Sequence, residues 1–132
     1  MDKDEVVTFW VNTAEHDYQT MQHLYDSHDY HWSLFIGHLV IEKLLKALFV
    51  AGHTEEAIVP RSHDLLLLAE KAGIETSQQQ KDQLDLITTF NITARYPDYK
   101  QSAYLKCTRE YTAERIREIE ELRTWLLCKL KV

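Results

Sequence analysis

The chain has 132 residues, 45% of them hydrophobic and 27% charged, with a formal net charge of −6. That length buries a single core without disulfide or metal staples, and the negative balance excludes a general, salt-driven attraction to nucleic acid or anionic lipid while leaving room for a local basic groove. Three glycines and two prolines are too few for hairpins, a glycine-rich phosphate loop or a flexible linker, so one domain over 1–132 is expected.

Apolar residues recur three or four apart from the start. Val7, Trp10, Ala14, Tyr18, Met21 and Tyr25 mark an amphipathic helix over 5–26. "DSHDY" breaks it, and a second helix runs from Tyr30 to Val50, with Gly52 suited to its stop. Pro60 forbids a straight continuation, and Ser62 or Asp64 caps a short third helix, "LLLLAEKAG", closed at Gly73. A fourth helix spans Ser77 to Ala94 with Leu84, Ile87 and Phe90 inward, and "RYPDYKQSA" ends it. The fifth runs from Ala103 to Leu130, with Leu105, Thr112, Ile116, Ile119, Leu122, Leu126 and Leu130 on one side. Strict alternation is absent. The reading is all-α: an up-and-down bundle of four long helices plus one short helix.

The second helix carries an anomaly. Its sequence "GHLVIEKLLKALFVAG" reads as core, yet holds His38, Glu42, Lys43 and Lys46. At about 100° per residue these four share one arc, interrupted by Phe35 and Leu39. Such an arc faces solvent, a subunit interface or a groove. In the first case Lys46 pairs with Glu42 at i,i+4 for about 0.3–0.5 kcal/mol and the lysine stems lie along apolar surface. In the last, the lysines form a cationic patch for a phosphate.

The segments "FIGHLVIEKLLKALFVAG", "HDLLLLAEKAG" and "ARYPDY", together with "FWVNTAEHDYQTMQHLY", resemble the HEPN domain over residues 5–130. The resemblance implies a helical bundle that commonly forms homodimers, often beside a separately encoded nucleotidyltransferase-type partner or in toxin–antitoxin pairs. Several members cleave RNA without metal, using an arginine followed after four to six residues by a histidine. A histidine can take the proton of the 2′-hydroxyl while an arginine stabilises the charged phosphorane. Here the arginine is Arg95, but positions 100 to 102 are Lys, Gln and Ser, and no histidine follows His63. The ribonuclease motif is incomplete.

What remains is binding chemistry. The expected phosphate contacts are Lys43, Lys46 and Arg95, with Tyr96 and Tyr99 as stacking faces, and His38, Glu42, His63 and Asp64 in positioning roles. For Arg95 the plainer alternative is closure of the fourth helix's C-terminal dipole; for His63 and Asp64 it is a helix entry. A ribonuclease using His38 or His63 in place of the missing histidine, and a scaffold whose polar arc is a dimer seam, are the competing readings.

Other chemistries find little support. No glutamate is followed three residues on by a histidine, so a di-metal carboxylate bundle is not indicated, and no cofactor or metal is expected. Cys107 and Cys128, 21 residues apart on the expected fifth helix, would stand roughly 30 Å from each other, too far for a disulfide. A reduced, cytoplasmic protein is expected, with no signal peptide in "MDKDE" and no membrane span. In "REYTAERIREIEELR" the pairs Glu114–Arg117, Arg117–Glu121 and Glu120–Arg123 suit a solvated face or a helix contact.

Overall fold

The computed structural model describes residues 2–96 and 105–130. Five helices account for most of them: α1 (Lys3–Asp26), α2 (Tyr30–Gly52), α3 (Leu65–Lys71), α4 (Gln78–Thr93) and α5 (Arg109–Leu130). No strand occurs among the described residues, and none of their helices is long and apolar enough to cross a membrane.

The helix ends follow from their residues. Asp2 accepts from the Glu5 amide at 2.8 Å, and Asp64 from the Leu67 amide at 3.2 Å. Ser77 and Gln80 form a reciprocal capping box on α4. α1 ends with His28 at φ 67°, the Asp29 amide reaching back to the Leu24 carbonyl at 2.8 Å and the His28 amide to Tyr25 at 3.0 Å. Gly73, at φ 74°, closes α3 in the same way. One side chain with a Cβ therefore sits in the left-handed region that glycine occupies more cheaply.

α2 is the central element and packs against each of the other four. Its buried side chains Leu34, Val40, Ile41, Leu44, Leu45 and Leu48 meet Ala14 and Met21 of α1, Leu65 and Leu68 of α3, Leu84, Ile87 and Phe90 of α4, and Ile116, Ile119, Leu122 and Leu126 of α5. Gly37 makes the closest approach possible. A Cβ there would lie 2.7 Å from Ile119 Cδ1 and 3.1 Å from Met21 Sδ.

Two expectations are corrected. The expected fifth helix is interrupted: 105–106 are helical, 107–108 are not, and α5 begins at Arg109, where Thr108 turns out of the helix and its hydroxyl accepts from the Tyr111 amide at 3.1 Å; positions 103 and 104 lie outside the described residues. Leu105 lies before that cap and is exposed rather than inward. Cys107 accordingly lies outside α5; it and Cys128 are free thiols. Glu120 and Arg123 do not pair with each other. Glu120 accepts from the Tyr18 hydroxyl at 2.6 Å, and Arg123 pairs with Glu15 at 2.5 Å while lying 3.9 Å from the Tyr18 ring, so this face of α5 is sewn to α1.

Candidate functional site

The polar arc of α2 resolves into two constructions. The first centres on Glu42, whose carboxylate is buried. Its Oε1 accepts from His63 Nδ1 at 2.6 Å, and its Oε2 from Lys46 Nζ at 3.3 Å. His38, one turn before Glu42 and fully buried, donates from Nε2 to the His63 carbonyl at 2.8 Å. A carbonyl can only accept, so Nε2 carries the proton and Nδ1 of neutral His38 is a bare acceptor. That Nδ1 is buried without a hydrogen-bond partner among the described residues. Burial pushes the His38 pKa down, outweighing the hydrogen bond to the His63 carbonyl and the Glu42 charge, which act the other way; the His63 ring and the Arg95 charge add smaller downward pushes. His63 is different: its side chain is 57% exposed, with Nδ1 committed to Glu42 and Nε2 making no hydrogen bond to a described residue. Asp64 is committed to the α3 cap.

The lysines are held by α1. Lys43 Nζ pairs with Asp17 at 2.5 Å, and Lys46 Nζ lies 5.6 Å from the centre of the Trp10 ring. Trp10 and Asp17 stand seven residues apart, two turns along one face of α1, so both contacts belong to the α1–α2 seam.

The second construction lies at the end of α4. Arg95 donates from Nε to the Asn91 carbonyl at 2.9 Å, satisfying a helix-end oxygen as the dipole argument anticipates. Its guanidinium carbon stands 5.5 Å from the Phe35 ring centre and 5.2 Å from that of Tyr96. The two Nη groups make no hydrogen bond to a described residue. Tyr96 is 67% exposed. Tyr99 lies outside the described residues, as do Pro97, Asp98 and positions 100 to 102.

A bundle of this topology, with an arginine closing α4, agrees with the comparison with protein families. A family model for the HEPN domain matches residues 7–130. The chain belongs to the HEPN domain family. A comparison with curated proteins gives no match. Among solved structures, the crystal structure of TT1696 from Thermus thermophilus is similar, with a TM-score of 0.80 at 21% identity over 93% of this chain and 97% of that one. At that identity the likeness speaks for the fold.

Within this HEPN bundle, His38, Glu42, His63 and Lys46 form one connected network, and Arg95 lies close enough for its charge to act on His38. Lys43 joins Asp17 instead. Phe35, read from the sequence as an interruption of the polar arc, is the surface on which Arg95 rests. Trp32, one turn earlier, meets Phe35 edge-on at 5.9 Å. The i,i+3 spacing of Trp32 and Phe35 on α2 was the available signal. The larger hollows have other linings: one of about 480 Å³ is bordered by His23, Tyr25, Ile116 and Glu120, and one of about 350 Å³ by His28, Tyr30 and Cys107. Among the described residues no group of His, Cys, Asp and Glu is arranged to hold a metal ion.

Proposed function

We propose that this HEPN-family chain is a binding and regulatory module for the phosphate of a nucleotide or RNA segment. It acts as a homodimer beside a separately encoded nucleotidyltransferase-type protein, in a toxin–antitoxin-type pair. The observation that carries the reading is the state of Arg95. One bond from Nε and two aromatic contacts hold the guanidinium in place, and no described residue takes a hydrogen bond from its Nη fork. A pre-positioned fork of this kind suits two oxygens of a phosphate. Tyr96 and Tyr99 are the stacking faces of the proposal. Lys46 adds a second cation when Glu42 shares it, and Lys43 contributes through Asp17 to the position of α2.

A second reading has one observation in its favour. The buried Glu42 carboxylate orients His63 through Nδ1 and leaves Nε2 outward, as in a proton-transfer pair. A ribonuclease on this chain would use His63, since His38 spends Nε2 on a backbone carbonyl and is fully buried.

Both readings are tested by titrating a fluorescein-labelled single-stranded RNA against the protein in chelator, following anisotropy and, on a gel, chain length. The binding reading expects saturable anisotropy, intact RNA, and affinity lowered at least tenfold in Arg95→Ala. Cleavage that disappears in His63→Ala would replace it with the enzyme. No binding at all, with dimerisation altered in Lys43→Ala and Lys46→Ala, would leave the scaffold.

A further inference from the structure

The aromatic contacts around Arg95 do not stop at Phe35. They run from Trp32, through an edge contact at 5.9 Å, to Phe35, then at 5.5 Å to the guanidinium and at 5.2 Å to Tyr96. The two ends reach solvent: Trp32, which also meets the His31 ring at 5.3 Å, is 40% exposed and Tyr96 67%. In the middle is a cation whose Nη groups are unspent on any described residue. A ring at each end and a fork between them is the order of groups along a dinucleotide step, base, phosphodiester, base. We infer that this face takes a single-stranded dinucleotide step, its two bases splayed onto Trp32 and Tyr96 and its phosphodiester on Arg95. The inference rests on the phosphate-binding reading and extends it by naming Trp32 and the length of the ligand.

Physical arguments favour this occupant. Buried side chains explain themselves by packing, but a tryptophan left 40% exposed next to a phenylalanine-seated arginine does not complete the core. Aromatic faces stack any base, and a guanidinium already desolvated on one side by a ring loses little on meeting a phosphate. The net charge of −6 disfavours a long polyanion tracked by many cations, while one or two bases around one phosphate need only one.

The test compares the dinucleotide adenylyl-(3′→5′)-adenosine with its analogue lacking one adenine, which has the same phosphodiester and charge. Isothermal titration on the whole chain is expected to show the dinucleotide bound at least tenfold more tightly. Trp32→Ala should bring it down to the one-base level without changing the analogue, and Trp32→Phe should restore most of the difference. Circular dichroism of each variant controls for folding. Equal binding of the two ligands, both lost in Arg95→Ala, would overturn the two-base platform and leave the phosphate reading standing. A Trp32→Ala variant that dissociates a dimer with dinucleotide affinity unchanged would assign the face to a second copy and overturn it. Binding of neither ligand would remove both.

Discussion

Glu42→Gln isolates the physical content of the polar arc. The side chain is 6% exposed and serves two donors, His63 Nδ1 at 2.6 Å and Lys46 Nζ at 3.3 Å. Glutamine preserves its length and offers one oxygen. If that oxygen faces His63, the amide NH2 confronts the Lys46 ammonium; if it faces Lys46, the NH2 meets Nδ1, which accepts only after His63 moves its proton to Nε2. Either a donor is left opposed or His63 changes tautomer, and in both cases two bonds to a buried negative charge are lost. Losing a hydrogen bond to a buried charged group costs about 1–3 kcal/mol. Lys46, only 11% exposed, must swing towards solvent or rest on the Trp10 ring alone. We expect a loss of about 2 kcal/mol, against about 0.3–0.5 for an ordinary exposed i,i+4 pair. Urea unfolding followed at 222 nm measures it without the ionic screening that guanidinium chloride brings. Adding Lys46→Met, which keeps an apolar stem on Trp10 and removes the stranded charge, should recover roughly 1 kcal/mol, a coupling read from the double-mutant cycle. A Glu42→Gln variant within about 0.5 kcal/mol of the parent would refute the reasoning, since Glu42 would then be no more than an exposed helix pair.

The remaining predictions concern titration and packing. His38 has its pKa lowered by burial, so the unfolded chain binds the proton more readily. Stability is then fully present above the ordinary value of about 6.5 and falls as pH drops below it, by at most about 1.4 kcal/mol per pH unit. Urea curves at pH 7.5 and 5.5 should show this decline reduced in His38→Gln, and equal declines in the two proteins would exclude His38 as its source. Tyr18, desolvated and bonded to Glu120, is pushed up to about 12. Its phenolate absorbance, read as the difference between parent and Tyr18→Phe at 295 nm, should rise near that pH, and a rise near 10 would show the hydroxyl free. Gly37→Ala gains up to about 1 kcal/mol of helix propensity but forces a methyl to 2.7 Å from the buried Ile119. A net loss of about 1 kcal/mol is expected, relieved by Ile119→Val; a stabilised Gly37→Ala protein would mean that the core yields there.

These expectations alter what the charged arc on α2 means. From the sequence Lys43 and Lys46 stood either as a cationic patch or, for Lys46, as the i,i+4 partner of Glu42; the structure forms that pair and joins Lys43 to Asp17 from another helix. Among Lys43, Lys46 and Arg95, the arginine is the one with donors not spent on a described residue. The proposed chemistry therefore rests on the end of α4, with the α2 network fixing the neighbouring loop through both the carbonyl and the ring of His63.

What the sequence by itself determined is the local half of the structure. Three- and four-residue apolar spacing carries α1, α2 and α4 to within a few residues, Ser77 marks the start of α4, Asp64 is the one of the two cap candidates Ser62 and Asp64 that the structure uses for α3, and Leu84, Ile87 and Phe90 turn inward as expected. These depend on the pitch of one helix and on side chains reaching amides two or three residues away, which a linear pattern carries in full. The start of α5 went wrong because Leu105 continues the helical spacing past Thr108, and periodicity does not register a cap that interrupts it. Only the tertiary structure decided that Glu42 meets His63, that Lys43 meets Asp17, that Arg123 meets Glu15 rather than Glu120, and that Arg95 settles on Phe35. Each of these pairs joins segments far apart in the chain. Which of several suitable partners a long charged side chain finds depends on the axial register and rotation of one helix against another, and those are set by close packing at places such as Gly37.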